Sequence, residues 1–319
     1  MKQVLFFFIF FILHTARAEN SIHTEDITHF WAAYDSVLKC APPMTSQDTL
    51  KQINILQTLY VDKASEGLKD FITARNFTAK EWLQHILYEP RFWKSLRPKT
   101  LLVVKQQDQI LQLMHRFKKL YPAFKCPDIY YTIGCLRSGG TTSPSRILIG
   151  TEIAAADSTT DISELGSWIS GIIKMNKGIL RLVAHEAGHT QQHEEGDMDL
   201  LSRCIREGAC DFIAELLLNE TLTSPYLTYG TAHEKELAEK FEKEMSGKDY
   251  SDWLYNGENA KGGHADLGYF MGYVICKYYY DKAVDKSKAI SEIITVNYSD
   301  SKASKAFYDQ TGYVNKVMH

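Results

Sequence analysis

His185-Glu186-Ala187-Gly188-His189 sets two imidazoles four residues apart with a carboxylate beside them. In a helix, residues four apart differ by about 40° around the axis and about 6 Å along it, so both rings can reach one metal ion. Glu186 would then stand where it could take a proton from a water attacking a carbonyl. The lead-in Ile179-Leu180-Arg181-Leu182-Val183-Ala184 is apolar enough for a buried helix. Buried titratable groups at this spacing are costly unless they coordinate something. Two histidines leave a zinc ion short of a third protein ligand, with a fourth position for water. His193 lies about 12 Å along the same helix from His185 and cannot share the ion. Glu207 is the better candidate, in a run (Arg206 to Leu216) with helical apolar spacing, and Asp211 follows it by one turn. Asp211 could accept a hydrogen bond from a ligating histidine and so fix its tautomer and aim. A helix–turn–helix over Leu180–His193 and Asp197–Leu218 would hold one Zn2+ between His185, His189 and Glu207. The competing reading is a helix with two surface histidines and a solvated glutamate.

His-Glu-x-x-His followed by Glu-x-x-x-Asp resembles the gluzincin metallopeptidases. Longer strings resemble a bacterial family of predicted zinc-dependent proteases: Ser138-Gly139-Gly140-Thr141, Ile147-Leu148-Ile149-Gly150-Thr151-Glu152, Arg206-Glu207-Gly208-Ala209, Asp211-Phe212, His233-Glu234, and Asp266-Leu267-Gly268-Tyr269-Phe270-Met271-Gly272-Tyr273. The similarity runs roughly from Tyr130 to the carboxyl terminus. It implies His185, His189 and Glu207 as zinc ligands and Glu186 as general base. It also implies that the Ile147–Thr151 strand is a sheet edge holding extended peptide, the alternative being an ordinary core strand. Glu194 and Glu195 do not reproduce the third histidine of the metzincin motif, and that class is rejected.

Attack on an amide also needs a donor for the developing oxyanion. His264, Tyr269 and Tyr273 are the candidates, the two tyrosines sharing a helical face. A packing seam built from Gly268, Gly272 and their neighbours is the alternative reading of that string. His233 is expected on a helix surface or behind a ligand. Cys204 and Cys210, three residues either side of Glu207, are expected to be buried rather than to compete for the metal. On one continuous helix they are about 9 Å apart along the axis and cannot bridge.

The chain that must position these groups has 319 residues, 45% hydrophobic and 24% charged, an ordinary globular composition. A net charge of −3 provides no basic field for nucleic acid. Lys2, the apolar run Val4 to Leu13 and the exit His14-Thr15-Ala16-Arg17-Ala18 predict a secretory signal peptide (1–18) cleaved after Ala18. The run falls short of the about 20 residues of a membrane span, and no later stretch could supply one. Cleavage removes Lys2 and Arg17 but no acid, taking the net charge to −5. The mature protein is expected to be secreted or periplasmic. Its six cysteines permit disulfides, with Cys126–Cys135 the expected local pair and six buried thiols the alternative.

Apolar spacing predicts helices over Asp26–Leu38, Ser46–Phe71, Thr78–Leu87 and Pro98–Leu120, with Thr78 and Glu81 forming a capping box. Ile129–Ile133 and Arg146–Gly150 read as strands, separated by a turn-rich loop over Ser138–Ser145. From Ile162 onward the helical pattern returns. The expected fold is α+β and mainly helical: a helical region (19–125), then a small sheet, a zincin-like active-site helix and a helical carboxy-terminal part (126–319), packed as one unit. The expected function is that of an exported zinc-dependent metallopeptidase acting on a peptide or protein substrate. Glu186 favours an enzyme, because a purely structural zinc site closes with four protein ligands and needs no base. The rivals are a catalytically silent zinc-scaffold binding protein of the cell envelope and a zinc-free helical interaction domain.

Overall fold

The computed structural model describes residues 22–40, 42, 45–193 and 196–318; the expected signal segment lies outside them, as do Glu194 and Glu195. A two-residue strand, β1 (Ile22–His23), leads into six helices: α1 (Glu25–Leu38), α2 (Ser46–Leu59), α3 (Glu66–Arg75), α4 (Ala79–Tyr88), α5 (Pro90–Leu101) and α6 (Gln107–Leu120). Two expected helices are each divided. Ser46–Phe71 breaks at a 3-10 turn, Val61–Lys63, because Ser65 supplies a new cap: its hydroxyl accepts from the Leu68 amide. Tyr60, at the break, is fully buried and its hydroxyl exchanges two hydrogen bonds with the Ile133 backbone. Pro98–Leu120 breaks at Val103–Gln106, and Pro98 belongs to α5, which starts instead at Pro90. Only half of the expected capping box forms. The Thr78 hydroxyl accepts from the Glu81 amide, while the Glu81 carboxylate pairs with Arg137. The complete box is at Thr45 and Asp48.

β2 (Asp128–Thr132), β3 (Gly140–Ser143) and β4 (Arg146–Gly150) complete a sheet of order β1-β2-β4-β3. β2 is parallel to β1 and β4, with Ile129 opposite Ile147, whereas β3 runs antiparallel to β4. β2 and β4 match the two expected strands. β3 forms inside the expected loop, because Pro144-Ser145, with Ser145 at a φ of 61°, turns the polar Gly-Thr-Thr-Ser segment back onto β4. β4 is therefore paired on both sides and its Ile147, Leu148 and Ile149 are fully buried. This corrects the edge-strand expectation: the free edge on that side belongs to β3.

The remaining helices are α7 (Thr151–Ala154), α8 (Ser167–Met175), α9 (Ile179–His189), α10 (Leu200–Leu218), α11 (Pro225–Ala232), α12 (Glu234–Glu244), α13 (Leu267–Lys282), α14 (Lys286–Ile294), α15 (Ser301–Thr311) and α16 (Tyr313–Met318). The fold is α+β and mainly helical, and one buried apolar cluster runs from Ile27 in α1 to Tyr313 in α16. No helix among the described residues is long and apolar enough to cross a membrane. All six cysteines are free thiols. Cys126 and Cys135 are not joined because the extended β2 runs between them and holds them at its opposite ends.

A buried carboxyl ties the sheet to α7. Glu152 accepts hydrogen bonds from the Gly134 amide at 2.8 Å and the Leu136 amide at 3.2 Å. Burial lifts it from 4.5 to about 7 against the pull of those amides. The folded value is the higher one, so the folded state keeps a proton that the unfolded chain releases. That contribution is complete below pH about 4.5 and lost as pH rises through about 7, a change on the order of 3 kcal/mol. The urea midpoint should fall over this interval, and by less in Glu152→Gln than in the wild type.

Candidate metal centre

α9 packs across β3 and β4 and against α10, which in turn crosses α13. The crossings are close because small residues meet there. A Cβ on Gly188 of α9 would come within 2.8 Å of Cys210 Sγ on α10. A Cβ on Gly208 would sit 2.0 Å from the Tyr273 backbone nitrogen, and one on Gly272 would sit 1.7 Å from the Cys204 carbonyl oxygen. α10 and α13 thus meet backbone to backbone beside Glu207, and Gly188 of α9 packs on the Cys210 side chain of α10, which sets Glu207 relative to α9. α9 ends at His189, so His193 lies outside the helix and is exposed.

The three expected ligands converge. His185 Nε2 and His189 Nε2 are 3.1 Å apart, His189 Nε2 is 3.1 Å from Glu207 Oε2, and His185 Nε2 is 3.5 Å from that oxygen. Tetrahedral zinc with bonds of about 2.0–2.1 Å places its ligand atoms about 3.3–3.4 Å apart, so this donor set fits the ion. Each ligand is also held from behind. His185 Nδ1 is 3.0 Å from Asp211 Oδ1, and Asp211 Oδ2 accepts from the Tyr226 hydroxyl at 2.6 Å. His189 Nδ1 is 2.8 Å from Gln192 Oε1, whose amide nitrogen donates to the Arg206 carbonyl. Glu207 Oε1 accepts from Tyr255 at 2.8 Å and from Arg206 at 2.9 Å, which leaves Oε2 for the ion. Both rings therefore present Nε2 inward with Nδ1 engaged behind.

The charges have the same logic. Burial pushes the His185 imidazole down, but its bonds to Asp211 and Glu207 outweigh that and raise it to about 10. Burial raises Glu207, and the two histidines more than offset it, holding the carboxyl well below its usual range. A cation of higher charge density can replace the proton these groups share. Cys204 and Cys210 are fully buried, and burial holds both thiols well above their ordinary value, so neither competes as a thiolate. Asp211→Asn should weaken zinc binding about 10- to 100-fold, measured by competition with a chromophoric chelator.

Glu186 is 8% exposed, and no described residue hydrogen-bonds its carboxylate. A cleft of about 690 Å³ opens beside His185, with Tyr226, Tyr255, His264 and Tyr269 among its walls. The Tyr269 ring lies 6.2 Å from that of His185. Tyr273 does not join them. Its hydroxyl donates to Glu215 at 2.7 Å and its ring packs on Phe212, outside the cleft. The glycines of the Gly268–Gly272 string lie in the helix seam, as the packing reading expects, and Tyr269 lines the cleft. His264 is exposed and stacks on Tyr229 at 3.5 Å, and His233 stacks on the same ring at 4.1 Å. No residue of β3 or β4 lines the cleft.

Gln192, Tyr226 and Tyr255 escaped the sequence reading. Gln192 follows His189 by three residues, a spacing that points at it. Tyr226 and Tyr255 reach their carboxylates across 15 and 48 residues, and no periodicity marks such contacts. No curated protein and no solved structure matches the chain. Similarity to a family covers a shorter run than the one expected from Tyr130 onward, and the sheet lies outside it. Residues 163–301, which carry every candidate ligand and every group behind one, match the family described as predicted Zn-dependent protease (DUF2268).

Proposed function

We propose that the protein is an exported zinc-dependent peptidase with Glu186 as its general base. The observation that carries this reading is three donor atoms 3.1–3.5 Å apart, one of them on His185 at the wall of a 690 Å³ cleft, with the Glu186 carboxylate next in sequence and free of hydrogen bonds to described residues. Zinc held by His185, His189 and Glu207 would supply Lewis acidity at the scissile carbonyl and bring the pKa of water towards about 7. Glu186 takes the proton of the attacking water and returns it to the leaving amine. Tyr269 donates to the developing oxyanion from the cleft wall, and Asp211 and Gln192 keep the two rings oriented throughout. Tyr273 has no part in this step, since its hydroxyl is engaged by Glu215. His264, stacked at the mouth, borders the substrate's path. Export rests on the signal pattern of residues 1–18.

A peptide library digested by the purified, the chelated and the zinc-restored protein tests the proposal. Cuts are expected in the first and third samples. Undiminished cutting after chelation overturns the zinc reading. No cutting in any sample overturns the peptidase and favours the silent zinc-scaffold binding protein.

A further inference from the structure

Arg181 stands one turn before His185 on α9, so the two side chains leave one face about 6 Å apart along the axis. Both line the cleft. The Arg181 guanidinium is half-buried, donates to the Ser224 hydroxyl and lies 3.5 Å from the Tyr226 hydroxyl. No carboxylate among the described residues pairs with it. Lys177, two residues ahead of α9, lines the same end of the cleft, is exposed, and is likewise without a carboxylate. The positive end of the α9 dipole adds to both. Two carboxyl groups share the cleft: Asp211 is engaged by His185 and Tyr226, and Asp266, which burial pushes up from its ordinary value, lies beside Tyr255 rather than pairing with Arg181. One side of the wall is apolar: Ile172 and Leu182 are partly buried, and Trp168 and Met175 are 46% and 52% exposed, while Asn176, Tyr255, His264 and Asp266 make other parts of the lining polar.

A guanidinium positioned by neutral hydroxyls, beside the apolar side of a cleft and one turn from a candidate metal ligand, is a donor set for a carboxylate. We propose that the cleft takes the carboxy-terminal residue of a peptide, with its free α-carboxylate on Arg181 and an apolar side chain against Ile172 and Met175. The scissile amide then lies beside His185, which makes the protein a carboxypeptidase. The water oxygen bonds to the carbonyl carbon, the C–N bond breaks, and a water proton goes by way of Glu186 to the amine of the released amino acid. This inference rests on the peptidase reading for its hydrolysis, but its recognition step can be measured separately.

The test uses three peptides of one composition: one ending in Phe as the free acid, one as the amide, and one with Phe internal. Binding is titrated to zinc-loaded Glu186→Gln protein, and cleavage is followed with the wild type. The acid should bind about 10- to 100-fold more tightly than the amide, and wild-type kcat/KM should differ likewise, mainly through KM. Mass spectrometry should show single residues leaving the carboxyl end. Arg181→Gln should erase the acid–amide difference. Equal binding and cutting of all three peptides overturns the carboxylate assignment and leaves the peptidase standing. Tighter binding of the acid without cleavage keeps the recognition and overturns the peptidase.

Discussion

Glu186→Gln is expected to retain one zinc ion per chain and to lose about 10²- to 10⁴-fold in kcat. The substitution keeps the side chain's shape and removes its ability to take a proton. Glu186 makes no hydrogen bond to a described residue, so the change breaks none and alters only the electrostatic interaction with His185 beside it. The metal donors are on other residues, and their supports, Asp211, Gln192, Arg206 and Tyr255, do not touch it. Stability should therefore stay within about 0.5 kcal/mol of the wild type, the range of substitutions away from structural features. Metal analysis, a urea melt and peptide hydrolysis on the same preparation check all three expectations. Full turnover in the variant would remove Glu186 from the chemistry.

Gly272→Ala should be the most damaging single methyl group in the molecule. Its Cβ would lie 1.7 Å from the Cys204 carbonyl oxygen and 2.5 Å from the Cys204 carbonyl carbon. Those are backbone atoms of α10, so no side chain can rotate away and one helix must move. Overpacking of this kind costs about 3 kcal/mol or more. The displaced helix carries Glu207 three residues after Cys204, so zinc affinity should fall along with the urea midpoint. Gly171→Ala is the comparison. It lies within α8, where an added Cβ meets nothing within 4 Å, so helix propensity should raise stability by up to about 1 kcal/mol. If the Gly272 variant melted like the wild type, the α10–α13 contact would not be what positions the ligand.

Much of the site was legible because its spacing is local. His185 to His189 is one helical turn, and Glu207 to Asp211 is another, so sequence periodicity alone aims each pair. What brings the two pairs together is the meeting of Gly188 with Cys210, while Gly208 against Gly272 seats α10 on α13, and both are properties of two surfaces rather than of one period. Tyr269 and Tyr273 show the limit of such reasoning. They share a stretch of helix, yet one lines the cleft and the other reaches Glu215, and only the position of α10 distinguishes them. The sheet shows the same limit. β2 and β4 announce themselves as buried apolar runs, whereas β3 is made of turn-forming residues and exists because β4 offers it a partner. Long apolar periods concealed the breaks after α2 and α5, where a cap at Ser65 and a 3-10 turn at Val103 prevail over propensity.

The most direct test is a crystal structure of the zinc-loaded protein with diffraction data collected on both sides of the zinc absorption edge. One anomalous peak is expected, about 2.0–2.2 Å from His185 Nε2, His189 Nε2 and Glu207 Oε2. A peak elsewhere, or a peak on the histidines with Glu207 turned away, would contradict the account.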